Sequence, residues 1–129
     1  MLESEFDLLV VDDDPDILNL LTVTFAEHGY RLRTANCIAD ARADLVRYGF
    51  KVVLSDHNLA DGNGVDFLAE VNGQGTHAVP ILMTGLLDVN VAIEAINLGK
   101  VYKFVTKPLD LMLLTHTVRR ALDHYVNQA

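Results

Sequence analysis

Short apolar segments alternate with amphipathic helical patterns five times along this chain. The apolar segments predict strands at residues 6–11, 30–34, 51–55, 79–83 and 101–106. Strands that are separated by helices pair in parallel, and the helices then cover the faces of the sheet. The alternation therefore predicts an α/β domain with a five-stranded parallel sheet and helices on both faces.

Capping residues mark the ends of the predicted helices. Asp14 can cap the first helix and Pro15 suits its first turn, while Gly29 is predicted to end it. Asp88 and Gly99 bracket the fourth helix in the same way. The second, third and fifth helices are predicted at residues 39–48, 65–71 and 111–125. None of the predicted helices is interrupted by a linker or a low-complexity segment.

The charges on the predicted strands indicate their order in the sheet. The first, third and fourth strands are almost continuously apolar, which is typical of central parallel strands. The second strand carries Arg31 and Arg33 and the fifth carries Lys103, which favours edge positions. This distribution agrees with the strand order 2-1-3-4-5 of the flavodoxin-like (βα)5 fold.

Polar residues that can bind a metal or a phosphoryl group follow four of the strands. Asp12 and Asp13 follow the first, Asp56 the third, Thr84 the fourth and Lys107 the fifth. The carboxyl ends of parallel strands form the ligand crevice of an open sheet. Three carboxylates, a hydroxyl and an ammonium should therefore meet at one edge, where they could hold a divalent cation and accept a phosphoryl group.

These residues belong to four short motifs in a fixed order. The motifs are Val10-Val11-Asp12-Asp13-Asp14, Leu54-Ser55-Asp56 with Gly64 eight residues later, Leu82-Met83-Thr84-Gly85, and Phe104-Val105-Thr106-Lys107-Pro108. In this order and spacing the chain resembles the receiver domain of two-component response regulators, the CheY-like superfamily, over nearly its whole length. The expectation is one receiver domain at residues 1–129, either alone or as the N-terminal part of a longer response regulator.

The acidic run after the first strand has two interpretations. Adjacent carboxylates repel each other, and Mg²⁺ accepts such hard oxygen ligands. Alternatively, the run only caps the helix and complements its dipole. The resemblance favours Mg²⁺ (or Mn²⁺) held by Asp12, Asp13, Asp56 and the backbone carbonyl of Asn58.

The resemblance also assigns roles in phosphoryl transfer. It implies that Asp56 is the phosphoacceptor, which carboxylate chemistry permits, and that Thr84 and Lys107 contact the phosphoryl oxygens. It also implies that Thr84 and Phe104 form the switch, with Thr84 moving toward the phosphoryl group and the aromatic ring of Phe104 rotating into the vacated space. A cis peptide is expected between Lys107 and Pro108. The implied function is a phosphorelay switch that receives its phosphoryl group from a histidine kinase or phosphotransfer protein. Phosphorylation would then change the face made by the fourth helix, fifth strand and fifth helix.

Two alternatives to this function are a protein-binding pseudo-receiver and a phosphohydrolase with Asp12 as its aspartate nucleophile. Beyond self-phosphorylation and slow self-dephosphorylation, no enzymatic activity is expected. Residues 95–104 resemble receivers fused to HD-GYP phosphodiesterases or to transcriptional activators, which suggests such an output domain. Homodimerisation through the switch face is a further expectation from the resemblance.

Composition excludes several other functions. The 129 residues include 10 Lys and Arg against 18 Asp and Glu, a net charge of −8 that argues against direct nucleic-acid binding. A single cysteine, Cys37, excludes an internal disulfide, and no apolar run has the length of a membrane span. A cytoplasmic location is expected. The 5 histidines lack paired metal-ligand spacing, and His57 is interpreted as an exposed loop residue.

Overall fold

The computed structural model describes residues 5–74 and 76–128, so residues 1–4, 75 and 129 of the predicted domain lie outside the described part. The main strands are β1 (Glu5–Val11), β2 (Leu32–Ala35), β3 (Gly49–Asp56), β4 (Val79–Thr84) and β5 (Lys103–Thr106). The α-helices are α1 (Pro15–Glu27), α2 (Ile38–Arg47), α3 (Gly64–Gly73), α4 (Val89–Asn97) and α5 (Leu111–Asn127). After β3, the two-residue strands Asn58–Leu59 and Gly62–Asn63 form a small antiparallel ribbon, and a 3₁₀ turn, Leu86–Asp88, precedes α4.

The five main strands form one parallel sheet in the order β2-β1-β3-β4-β5. This confirms the predicted flavodoxin-like order. The strands that carry Arg33 and Lys103 lie at the two edges, while every residue of β4 is buried. Charged side chains reach water easily from an edge strand, and this explains why the charge pattern identified the edges.

Alternation along the strands divides the core into two layers. Leu8 and Val10 of β1 pack in one cluster with residues of α1 and α5, including Phe25 and Leu114. Leu9 packs with its neighbours on the opposite face, where α2, α3 and α4 lie. Successive side chains of a strand point to opposite faces. The same β1 sequence therefore supplies both layers, and helices cover both faces as predicted.

Capping contacts hold the helix starts near the carboxyl edge of the sheet. Asp14 caps α1 by accepting a hydrogen bond from the backbone N–H of Asp16 at 2.9 Å. α2 is capped by a distant residue, because Asp61 in the turn of the ribbon accepts hydrogen bonds from Ile38 N at 2.9 Å and Ala39 N at 3.0 Å. The segment after β3 is thereby tied to α2.

Several element boundaries differ from the prediction. β2 begins at Leu32, two residues late, because the Tyr30 N–H bonds back to Phe25 O at 3.2 Å and the Arg31 N–H bonds to Asp7 Oδ2 at 2.8 Å. α3 continues to Gly73, past the predicted end at residue 71. At the start of β2, hydrogen bonds of Tyr30 and Arg31 with residues outside the strand decide a boundary that the local pattern leaves open.

Gly29 and Gly99 end their helices as predicted, with φ angles of 79° and 74°. This left-handed conformation favours glycine. In the part of the chain that the structure describes, no helix is both long and apolar enough to cross a membrane.

Candidate functional site

The predicted polar residues lie at the carboxyl edge of the sheet. Asp12 directly follows β1, Asp56 ends β3, Thr84 ends β4 and Lys107 directly follows β5. These four strands are consecutive neighbours in the sheet. Their ends therefore bring together residues that are far apart in the chain, as the order predicts.

Three carboxylates lie close together at this edge. One ligand oxygen from each of Asp12, Asp13 and Asp56 lies within 4.8 Å of the other two. Asp12 is fully buried and its Oδ1 accepts a hydrogen bond from Asp14 N at 2.9 Å, whereas Asp13 is exposed. A mixed set of fixed and solvent-accessible carboxylates suits Mg²⁺ or Mn²⁺, which also keep water ligands. These residues therefore fit a divalent cation.

Lys107 lies between two of the carboxylates. Its Nζ is 2.7 Å from Asp12 Oδ2 and 3.3 Å from Asp56 Oδ1. Burial of the ammonium disfavours its charge, but the hydrogen bond and charge of Asp12, with a smaller effect of Asp56, outweigh this and raise the pKa of Lys107. The backbone N–H of Lys107 bonds to Thr84 O at 2.8 Å, and the Lys107–Pro108 peptide is cis, as expected. The ion pair with Asp12 therefore fixes the positively charged Lys107 ammonium beside Asp56.

The Asp56 carboxylate is in an environment with excess negative charge. Its burial raises the pKa of Asp56, and the charge of Asp12 raises it further. The Lys107 ammonium and the His57 N–H, which donates to Asp56 Oδ1 at 2.9 Å, lower the pKa without cancelling the rise. A second cation at this position would favour the ionised carboxylate.

Gly64 allows α3 to start directly against Asp56. A Cβ atom at this position would lie 1.9 Å from the backbone oxygen of Asp56 and 3.1 Å from the Cα of His57. The Gly64 N–H also donates to the His57 carbonyl at 2.6 Å. The glycine of the second motif thus has a steric role, because only a hydrogen fits between α3 and the end of β3.

His57 differs from the prediction that it is exposed. Its side chain is buried, with 5% of its surface exposed, and its Nδ1 lies 2.9 Å from Thr84 Oγ1. The prediction was wrong because the chain stays against the neighbouring strand for one residue beyond the end of β3, where the His57 N–H donates to Met83 O at 2.8 Å. The sequence contains no local signal for a contact between His57 and Thr84, which are 27 residues apart.

Thr84 is fully buried, and its hydroxyl oxygen contacts His57. Asn58 is exposed at the start of the ribbon, two residues after Asp56. Phe104 is partly buried on β5, opposite Leu82 of β4, and packs against the core layer that includes Leu82. The structure therefore joins Asp12, Asp13, Asp56 and Lys107 directly. The phosphoryl, metal and switch roles of Thr84, Asn58 and Phe104 stay predictions.

Comparison with known proteins assigns the family. Residues 8–119 match the family described as "Response regulator receiver domain". The chain belongs to this family. The receiver domain is also similar to the signal receiver domain of an HD domain-containing protein from Pseudomonas fluorescens Pf-5. That crystal structure has a TM-score of 0.87 and 30% identity, over 95% of this chain and 90% of the other.

Longer signalling proteins contain similar receiver domains. The response regulator protein PilR of Pseudomonas aeruginosa is 34% identical over 88% of this chain and 25% of its own length. The transcriptional regulatory protein ZraR of Salmonella typhimurium is 34% identical over 96% of this chain and 28% of its own length. The receiver domain thus spans about a quarter of these relatives. These relatives are a response regulator and a transcriptional regulatory protein.

Proposed function

We propose that this receiver domain accepts a phosphoryl group on Asp56 from a histidine kinase or phosphotransfer protein. The observation that supports this most strongly is the position of Lys107, 2.7 Å from Asp12 and 3.3 Å from Asp56. A lysine ammonium is a compact charge suited to phosphoryl oxygens. Asp56 therefore has a cationic partner for an incoming phosphoryl group within hydrogen-bonding reach of its own carboxylate.

The two oxygens of Asp56 differ in their surroundings. Oδ1 accepts the His57 N–H and faces Lys107, whereas Oδ2 has no hydrogen-bond or ion-pair partner among residues 5–74 and 76–128. Oδ2 is the oxygen that forms the new bond to phosphorus. The P–N bond of the phosphohistidine donor breaks, and its electron pair returns to the imidazole nitrogen of the donor.

Charge on the transferred phosphoryl group must be balanced, since it spreads over three oxygens in the transition state. Lys107 and the hydroxyl of Thr84 donate hydrogen bonds to these oxygens. Asp12, Asp13, Asp56 and the backbone carbonyl of Asn58 would hold Mg²⁺ (or Mn²⁺). When bound, this ion supplies further positive charge that stabilises the phosphoryl oxygens.

The output of the domain is a change in the face formed by α4, β5 and α5. Thr84 and Phe104 lie on adjacent strands, β4 and β5, so a movement of Thr84 toward the phosphoryl group can alter the packing of Phe104. We infer that residues 1–129 form the receiver part of a cytoplasmic response regulator, with a transcriptional activator or an HD-GYP-type phosphodiesterase as output domain. The changed face is also the proposed contact of a homodimer.

Phosphoryl transfer from a small donor tests the proposal. The protein is incubated with Mg²⁺ and phosphoramidate, and intact-protein mass spectrometry measures the gain of one phosphoryl group. We expect a gain that disappears in Asp56→Asn and after chelation of the metal. Asp66→Asn, which removes an exposed carboxylate in the first turn of α3, is the matched control and should retain the gain.

Other outcomes separate the alternatives. A label that persists in Asp56→Asn and maps to Asp12 would support the phosphohydrolase. Absence of both phosphorylation and Mg²⁺ binding in the folded wild-type protein would support a pseudo-receiver that acts through protein contacts.

A further inference from the structure

His57 contacts both the acceptor aspartate and the proposed switch threonine. Its backbone N–H donates to Asp56 Oδ1 at 2.9 Å, and its imidazole Nδ1 lies 2.9 Å from Thr84 Oγ1. Both side chains of the second contact are buried, with 5% of His57 and none of Thr84 exposed. A hydrogen bond in such a dry site has a well-defined geometry and is costly to leave unmade.

The direction of this hydrogen bond follows because the buried hydroxyl hydrogen of Thr84 requires an acceptor. A threonine hydroxyl has one hydrogen, and a buried hydrogen without an acceptor costs free energy. Within the described residues, the His57 imidazole is the hydrogen-bond partner of Thr84 Oγ1, and buried side-chain N and O atoms are all satisfied. The hydrogen of Thr84 is satisfied only if the hydroxyl donates to Nδ1, with the imidazole proton on Nε2.

We propose that His57 is a positioning residue that holds the Thr84 hydroxyl in its unphosphorylated arrangement. This inference rests on the proposed function, since it concerns the donor that Thr84 offers to a phosphoryl group. A single hydroxyl hydrogen cannot make a well-aligned hydrogen bond to Nδ1 and another to a phosphoryl oxygen at the same time. His57 therefore competes with the phosphoryl group for Thr84, and the switch proceeds only when this hydrogen bond breaks.

The competition has a measurable size. A neutral hydrogen bond contributes enough to change an equilibrium by about two- to tenfold. His57→Phe keeps a buried ring but removes the acceptor nitrogen, and His57→Asn retains an acceptor oxygen close to the position of Nδ1. Beryllofluoride mimics a phosphoryl group, so its affinity depends on the free energy needed to break the hydrogen bond between Thr84 and His57. This affinity is measured in excess Mg²⁺ by two-dimensional NMR.

We expect His57→Phe to bind beryllofluoride about two- to tenfold more tightly than the wild type, and His57→Asn to bind it like the wild type. In a Thr84→Val background, His57→Phe should have no effect, because the hydroxyl is already absent. Unchanged or weaker binding by His57→Phe would overturn the proposal. If His57→Phe also increases the affinity for beryllofluoride in the Thr84→Val background, the increase comes from packing, and this result would likewise overturn the proposal.

A second measurement does not depend on phosphoryl chemistry. Long-range ¹H–¹⁵N NMR of the wild-type imidazole shows which ring nitrogen carries the proton. We expect the imidazole proton on Nε2, and a proton on Nδ1 would refute the proposed hydrogen bond even if phosphorylation succeeds. If phosphorylation fails while the proton is on Nε2, the proposed function has failed and the Thr84–His57 geometry stands.

Discussion

Substitution of Gly64 by alanine should strongly destabilise this protein, because the first residue of α3 touches the backbone of β3. The added Cβ would lie 1.9 Å from the Asp56 carbonyl oxygen and 2.9 Å from the carbonyl carbon. Neither atom belongs to a flexible side chain that could rotate away. Either α3 or the end of β3 must move, and both elements are fixed in the fold by the core.

The magnitude follows from two opposing effects. In a helix without steric conflict, Gly→Ala stabilises by about 0.5–1 kcal/mol through lower backbone entropy in the unfolded chain. Overpacking in a closely packed site costs about 1–3 kcal/mol and sometimes more. Because the contact involves backbone on both sides, we expect Gly64→Ala to lose about 3 kcal/mol of unfolding free energy.

Gly73, at the other end of the same helix, is the matched control. A Cβ there would meet nothing within 4 Å. Gly73→Ala should therefore leave the unfolding free energy unchanged or raise it by up to about 1 kcal/mol. Urea denaturation followed by circular dichroism measures both variants. Equal stability of Gly64→Ala and Gly73→Ala would refute the steric argument, whatever their effects on phosphorylation.

Two further predictions concern the charges of the site. Without divalent cations, Asp56→Asn should raise the unfolding free energy at neutral pH, because burial and the charge of Asp12 raise the pKa of Asp56. A carboxyl whose pKa rises on folding favours the folded state below its unfolded pKa, and this contribution is lost as pH increases through the folded pKa. The stabilisation by Asp56→Asn should therefore become smaller in acid. Equal unfolding free energies of Asp56→Asn and the wild type at neutral pH, measured by urea denaturation, would contradict this prediction. Lys107→Met should bind Mg²⁺ about tenfold more tightly in calorimetry, because the ammonium no longer competes for Asp12. Lys103→Met, an exposed lysine on β5, is the control, and weaker binding by Lys107→Met would contradict the competition.

The main features of the fold could be predicted because they depend on local patterns. The apolar strands β1, β3 and β4 lie in the centre of the sheet, and the charged strands β2 and β5 lie at its edges. Asp14 and Gly29 mark the two ends of α1 through backbone requirements that do not depend on distant residues. The start of β2 was predicted less well, because contacts of Tyr30 and Arg31 with residues outside the strand determine it.

The identity and order of the strand-end residues come from the sequence alone. Once the strands are parallel and adjacent, Asp12, Asp56 and Lys107 must lie at the same edge. Their exact partners depend on tertiary structure, since a hydrogen bond joins Lys107 to Asp12 across 95 residues of sequence. The contact of His57 with Thr84 likewise forms only because β3 and β4 are neighbours. Local patterns specify which face or end of an element a residue occupies, but packing determines its distances, its burial and its pKa.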